Sequence, residues 1–201
     1  MIYGTPFRGI FYSFGVHYPD APITDLVDVT ASSTAYNRGN VLYVIDPKKT
    51  YSSSEEGWIS TSEENSSITV TLLRDNLTLS SYALRSRLEY ETNFPLEWML
   101  EGSNDQTNWE LLHHKTRGDE LKGLGRVGRW KCPTDKAFKS FRLTQIGVNS
   151  YTDEAAKYVF SMNKFELYGK LGISFASFTC RPHSQSMSFV CLVINLLLNS
   201  N

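Results

Sequence analysis

A stretch rich in tryptophan and turn-forming residues, 95–112 (PLEWMLEGSNDQTNWELL), constrains the fold of this chain most strongly. Trp98, Leu100 and Gly102 alternate with Met99 and Glu101, a period of two that is typical of a strand with one buried face. Residues 103–108 carry side chains that hydrogen-bond their own backbone in turns, and apolar residues resume at Trp109. Each indole can bury about 150–250 Å². The stretch therefore predicts a β-hairpin with both Trp98 and Trp109 in the core.

Several other short segments show the same strand-like character. They are rich in β-branched residues or alternate apolar with polar positions, and they comprise residues 26–30, 68–73, 79–86, 138–146 and 160–169. No segment between residues 25 and 170 has sustained helical periodicity. Short strands at turn-bounded intervals predict an all-β sandwich.

The central stretch also carries a family resemblance. Its pattern W-x-x-E-G-S-N-D-x-x-x-W at residues 98–109 resembles the signature of the coagulation factor V/VIII type C domain, also called discoidin-like or galactose-binding-like. Four further parts of the sequence follow that family's order, at residues 27–33, 58–59, 82–86 and 141–169. The resemblance implies a jelly-roll β-sandwich with ligand loops clustered at one end. Two departures are Gln106, where the family usually has glycine, and residues 61–67, which lack the usual acidic and aromatic strand. A residue other than glycine at position 106 predicts a strained turn, since glycine adopts positive φ at little cost.

The sequence divides into three parts. Residues 1–23 form an N-terminal lead-in, interpreted as a flap that packs Phe7, Ile10 and Phe11 on the sandwich, with a joint to an upstream domain as the alternative. Residues 24–170 form the discoidin-like β-sandwich domain. Residues 171–201 form an apolar tail whose last apolar run, 189–198, is too short for a bilayer span of ~20 residues. The tail is interpreted as an extension outside the fold, with a packed helix or a membrane-associating segment as alternatives.

Charge and cysteine content restrict the partners and the compartment. The net charge of −1, from 20 basic and 21 acidic residues, provides no basic face for nucleic acid and no polybasic membrane segment. Cys132 is the single cysteine before the tail, which holds Cys180 and Cys191, so the domain lacks the disulfide common in extracellular relatives. The N-terminus also lacks a typical secretion signal. The expected location is therefore intracellular and cytoplasmic, although sequons at Asn65 and Asn76 would matter only in a secreted chain.

The motifs that could support catalysis are weak. Residues 123–128 spell the dinucleotide fingerprint GLGRVG, but no βαβ pattern surrounds it and no helix start follows. His113 and His114 are neighbours in a predicted strand and point to opposite faces, so they cannot ligate one metal together. The paired carboxylates all lie in polar loops. The sequence therefore predicts no enzyme and no cofactor.

A calcium site remains as an alternative. Some carbohydrate-binding relatives hold a structural ion, and the resemblance places Asp46, Thr50 and Glu166 at similar positions. Hard oxygen ligands of this kind suit Ca²⁺. Pro47 stands where the ion's usual Asp-Gly loop would continue, however, and the expected compartment is poor in calcium.

The loops provide the remaining candidates for function. Aromatic and arginine side chains often form binding hot spots, and arginine suits carboxylate and phosphate. The candidate ligand-binding residues are Tyr36, Asn37, Arg38, Lys48, Lys49, Tyr51, Arg87, Tyr90, Phe94 and Arg117. The hypothesis is a non-catalytic module that recognises a protein partner or a glycan through loops at one end of the sandwich. The alternatives are a module for phospholipid membrane surfaces and a fragment of a carbohydrate-active enzyme.

Overall fold

The part of the chain that the computed structural model describes, residues 7–35, 39–49, 57–89 and 91–173, consists mainly of antiparallel strands. One α-helix precedes them, α1 (Ile10–His17), and short 3₁₀ turns occur at Ile23–Asp25, Val41–Val44 and Asp119–Leu121. The strands are β1 (Val27–Ala31), β2 (Trp58–Ser62), β3 (Ser67–Leu72), β4 (Asp75–Arg85), β5 (Trp98–Ser103), β6 (Glu110–Lys115), β7 (Val127–Lys131), β8 (Ala137–Phe138), β9 (Ser140–Gln145), β10 (Val159–Met162) and β11 (Lys164–Ile173).

Two main sheets form the sandwich. One has five strands in the order β1-β3-β9-β5-β6, and the other has the order β11-β4-β7, with β8 also pairing with β4. A separate pair joins β10 to β2. All these pairings are antiparallel. The prediction of an all-β sandwich is confirmed.

Aromatic side chains from both sheets meet in the core. The rings of Trp98 on β5 and Trp130 on β7 lie 5.0 Å apart. Tyr82 on β4 lies 5.2 Å from the Trp130 ring and accepts a hydrogen bond from Trp98 Nε1 at 2.8 Å. Trp98 and Tyr82 have no exposed surface. Burial of such large apolar areas is the main force that holds the two layers together.

The prediction of a core position is right for Trp98 and wrong for Trp109. Trp109 is only half-buried and lies outside the core cluster. It precedes the first residue of β6, so the alternation of the strand does not determine where its side chain points. The guanidinium of Arg142 instead covers the Trp109 ring at 4.2 Å. The indole is thus covered by a cation on the sheet surface.

The lead-in segment contains a helix that the sequence reading did not predict. Ile10 and Phe14 are one helical turn apart in α1, and both are buried together with Phe11. The Phe11 ring lies 6.4 Å from that of Phe165 on β11. The expected packing on the sandwich is confirmed for Ile10 and Phe11, whereas Phe7 is half-buried and lies outside the core cluster. The boundaries of the three proposed parts stay a prediction, and residues 174–201 lie outside the described residues.

Candidate binding groove at the loop end

The strand register brings four connecting loops to one end of the sandwich. In the five-stranded sheet, Trp98 at the start of β5 pairs with Gln145 at the end of β9 and with Lys115 at the end of β6. In the other sheet, Arg85 at the end of β4 pairs with Val127 at the start of β7. The loops 86–97 and 116–126 cross between the sheets here, beside the loop 146–158. The β1–β2 connection, residues 32–57, begins at the same end.

Two of these loops are joined to each other. Phe94 N donates to Ser150 Oγ at 3.2 Å, and Ser150 N donates to Phe94 O at 3.1 Å. Asn149, which is 2% exposed, holds the loop 146–158 together. Its Nδ2 donates to Ala156 O at 2.8 Å and Val159 O at 2.7 Å, and its Oδ1 accepts from Tyr151 N at 2.7 Å. These bonds fix the loop backbone without help from a ligand.

A groove of about 460 Å³ lies between these loops and the strand β2. Its walls are residues 59–62 of β2 together with Ala35, residues 92–93, three residues of the loop 146–158 and the first residue of β10; the last four are Tyr151, Ala155, Ala156 and Val159. None of the lining residues that the structure describes has a charged side chain. The volume is within the ~300–1,000 Å³ range of small-ligand sites.

Several polar groups of the groove are already used by the protein. Ser60 Oγ donates to Thr61 O at 2.6 Å and accepts from Phe160 N at 2.9 Å. Thr61 Oγ1 contacts Ser33 Oγ at 2.7 Å. The Oδ1 atom of Asn93 differs, because it is buried and has no hydrogen-bond partner among the described residues. Asn93 also has a positive φ of 67°.

Two predicted site residues do not have the exposed loop position expected of them. Arg87 is 4% exposed and forms an ion pair with Glu89, and its carbonyl accepts from Gly125 N at 2.8 Å. Phe94 is 6% exposed and belongs to the core. Both side chains turn inward: the Arg87 guanidinium bonds to the Glu89 carboxylate, and Phe94 packs in the core. Their role as ligand contacts stays untested.

The other described candidates lie apart from the groove. Lys48 Nζ donates to Pro19 O at 2.7 Å, and Lys49 Nζ lies 4.2 Å from the centre of the Tyr43 ring. Arg117 has a side chain that is 79% exposed and pairs with Asp119 at 3.1 Å. The remaining candidates, Tyr36, Asn37, Arg38, Tyr51 and Tyr90, lie outside the described residues.

None of the described residues that line the groove is among the site residues predicted from the sequence. Tyr151 is 39% exposed, and the same criterion that selected Tyr90, an aromatic residue in a loop, would have selected it. Asn93 and Asn149 carry no comparable signal, because asparagine is common in any loop. Ala35 lines the groove, and three predicted site residues, 36–38, follow it directly in the sequence.

The calcium ligands suggested by the resemblance do not fit an ion among the described residues. Both carboxylate oxygens of Glu166 accept backbone N–H groups, from Phe11 at 3.0 Å and from Tyr12 at 3.2 Å. Lys164 Nζ donates to the carbonyl of Asp46 at 3.0 Å, so a cationic side chain lies beside the suggested ligands. Thr50 is outside the described residues, and the described part of the chain holds no group of three acidic, histidine or cysteine residues suited to a metal.

The two motifs judged weak for catalysis have structural roles. In the 123–128 stretch, Gly123 and Gly125 have positive φ values of 108° and 57°, and the strand β7 follows them, with no helix. His113 and His114 point apart as predicted. His113 Nδ1 lies 2.7 Å from Tyr82 Oη in the interior, and His114 Nε2 lies 2.8 Å from Glu97 Oε1 on the surface.

Comparisons with known proteins identify the fold. No protein-family model matches the chain. The lectin domain of lectinolysin, complexed with Lewis B antigen, superposes with a TM-score of 0.56 at 14% identity, over 71% of this chain and 92% of the other. A module named CBM32-3, from a family 31 glycoside hydrolase of Clostridium perfringens, superposes with a TM-score of 0.57 at 16% identity, over 78% of this chain and 97% of the module. This chain has a discoidin-like, galactose-binding-like fold.

Enzymes also contain this discoidin-like fold. Allantoicase from Saccharomyces cerevisiae superposes with a TM-score of 0.54 at 15% identity, over 72% of this chain and 40% of the enzyme chain. At such low identity the likeness shows the fold alone.

One curated relative gives a sequence match. The E3 ubiquitin-protein ligase hecd-1 of Caenorhabditis elegans is 32% identical over 94 residues, which are 46% of this chain and 3% of the relative. The chain thus matches a very small part of that relative's length. Among the described residues, no helix is long and apolar enough to cross a membrane.

Proposed function

We propose that this chain is a non-catalytic binding module that holds a segment of a protein partner in the groove at the loop end. The observation that carries the proposal is the chemistry of the groove wall. Six of its eleven described lining residues are apolar or tyrosine, and among the five polar ones the hydroxyls of Ser60 and Thr61 are bonded within the protein. A glycan needs several free polar groups that converge on its hydroxyls, whereas a peptide can bind through an apolar anchor and a few backbone bonds.

Asn93 supplies one such bond. Its Oδ1 atom is buried and without a partner among the described residues, and an unsatisfied buried acceptor costs about 1–3 kcal/mol. An N–H group of a bound peptide would remove this cost once the Asn93 amide, whose Oδ1 is enclosed in this structure, turns toward the groove. Tyr151 then provides the aromatic surface against which an apolar side chain of the peptide packs.

The curated relative supports a protein partner. It is named as an E3 ubiquitin-protein ligase, and a module within a large ligase is well placed to bind a protein. Glycan recognition is the second candidate, because the lectin domain with the same fold was solved with a sugar antigen.

The test is a selection of peptides displayed on phage, followed by calorimetry with the selected peptides. Ala155→Glu places a charge in the groove, and it is expected to weaken binding by about tenfold or more. Val148→Glu is the matched control, because Val148 is 43% exposed in the same loop and does not line the groove. The control is expected to bind like the parent chain. Micromolar hits on a glycan array that Ala155→Glu abolishes, with no selected peptide, would show that the ligand is a glycan.

A further inference from the structure

The strand β11 carries two buried groups of opposite charge. Lys164 and Glu166 are two residues apart, so their side chains leave the strand on the same face. Lys164 is 3% exposed and Glu166 is fully buried. Fully buried charged residues are rare unless they are paired, so each charge needs an opposite partner nearby.

Glu166 fastens the N-terminal helix to the sheet. Its Oε1 accepts Phe11 N and Leu167 N, both at 3.0 Å, and its Oε2 accepts Tyr12 N at 3.2 Å. The first turn of α1 offers backbone N–H groups that have no partner within the helix, and a carboxylate is their natural acceptor. Gly9 permits this approach, because a Cβ atom there would lie 2.6 Å from Glu166 Cγ and closer still to Leu167 O.

Lys164 connects the start of β11 to the segment that ends at Asp46, just before Pro47. Its ammonium donates to the carbonyl oxygen of Asp46 at 3.0 Å. Burial lowers the pKa of Lys164 to about 8, and attraction by Glu166 and Asp46 opposes the decrease. At neutral pH the side chain therefore remains mainly an ammonium ion. Burial raises the pKa of Glu166, and the three N–H donors and the charge of Lys164 oppose this increase by favouring the ionised form.

We propose that the Lys164 ammonium is a built-in structural cation, which joins α1 and the Asp46 segment to β11 and makes this corner of the fold independent of a bound metal ion. Three segments distant in sequence meet around it. Two of the residues that the family resemblance suggested as calcium ligands, Asp46 and Glu166, are the two groups that attract it. A divalent ion at this place would have to displace the ammonium and the N–H donors together.

The test combines thermal melting with a double variant. Lys164→Met keeps most of the side-chain volume and removes the charge, so the buried Glu166 keeps its three N–H donors but loses the cation that attracts it. We expect the melting temperature to fall by on the order of 10 °C. The double variant Lys164→Met/Glu166→Gln removes both charges, and its melting temperature is expected to recover a large part of this decrease. Lys170→Met is the matched control, since Lys170 is exposed on the same strand, and its melting temperature is expected to match that of the parent.

Calcium provides the second readout. The melting temperature of the parent chain is expected to be the same in millimolar CaCl₂ and in a chelator. The proposal is overturned by an increase of several degrees with calcium, or by a Lys164→Met variant that melts like the parent. A double variant no more stable than Lys164→Met would also contradict it, including the case in which neither variant folds.

Discussion

At the scale of single residues, the phenol of Tyr82 determines which ring nitrogen of His113 carries the proton. Trp98 Nε1 donates to Tyr82 Oη, and Tyr82 Oη lies 2.7 Å from His113 Nδ1. An indole N–H can only donate, so the single phenol proton must go to the histidine. His113 Nδ1 is therefore an acceptor, and the proton of its neutral ring is on Nε2. A proton on Nδ1 would make this nitrogen a donor, and the phenol proton of Tyr82 would lose its acceptor.

This arrangement predicts a loss of stability in acid. Burial lowers the pKa of His113, and the charges of Lys115 and His114 add to the effect. The unfolded chain thus binds the proton more readily, so stability is full above the unfolded pKa of about 6.5 and decreases as the pH falls below it. Between about pH 7.5 and about pH 5, the parent chain should lose more unfolding free energy than His113→Leu. Urea unfolding at each pH measures the difference, and equal pH dependence in the two proteins would contradict this assignment.

At the scale of elements, the hairpin of β5 and β6 shows how a turn can hold a residue in an unfavourable conformation. Gln106 has a positive φ of 58°, as expected from its replacement of a glycine in the family pattern. Asp105 Oδ1 accepts Thr107 N and Asn108 N, each at 2.8 Å, and Ser103 Oγ accepts Gln106 N at 2.9 Å. Bonds from Asn108 and Thr107 lower the pKa of Asp105 below its usual range. The side chains of the turn therefore hold its backbone in place.

The positive φ at Gln106 predicts that a glycine variant is more stable than an alanine variant, the reverse of the usual order. Gln106→Gly and Gln106→Ala both lose the bond from Gln106 Nε2 to Thr71 Oγ1 at 3.2 Å. Alanine keeps the strain of positive φ, so the glycine variant should be more stable by about 1 kcal/mol in urea unfolding. At Thr107, which has no positive φ, the order should reverse. An alanine variant at position 106 as stable as the glycine variant would show that the turn relaxes.

The same hairpin shows where sequence reasoning succeeds and where it ends. The alternation around Trp98 correctly predicted a buried strand, because alternation reports directly on the two faces of a sheet. Trp109 precedes β6, and its cover comes from Arg142 on a strand distant in sequence. A local pattern contains no information about such a partner. The inward positions of Arg87 and Phe94 depend in the same way on contacts across the sandwich.

At the scale of the whole molecule, the order of strand segments was sufficient to predict the sandwich, and α1 and the groove were not predictable. The helix is two turns long and is stabilised by Phe11 and Phe14 in the core and by Glu166 at its start. An isolated helix of this length is marginal in water, so its stability comes from distant residues. The groove likewise arises from four segments that become neighbours only after folding.

The length of β11 determines where the chain can be shortened without loss of thermal stability. It pairs with β4 from Lys164 to Ile173, and Leu171 packs against the core. A chain that ends at Ile173 is expected to melt within about 3 °C of the full chain. Ending the chain at Tyr168 removes Leu171 and half of this pairing and should lower the melting temperature clearly. Thermal melting followed by circular dichroism distinguishes the two, and a large loss for the longer truncated chain would place residues beyond 173 in the fold.

The hairpin turn at residues 103–108 lies at the end of the sandwich opposite the loops 86–97 and 146–158. Thr107 is exposed there. A chemical tether at this position would therefore present the groove outward from a sensor chip or bead, with every molecule in one orientation. Coupling through lysines would attach the molecules at several sites and orient them at random, and part of the population would be unable to reach its ligand.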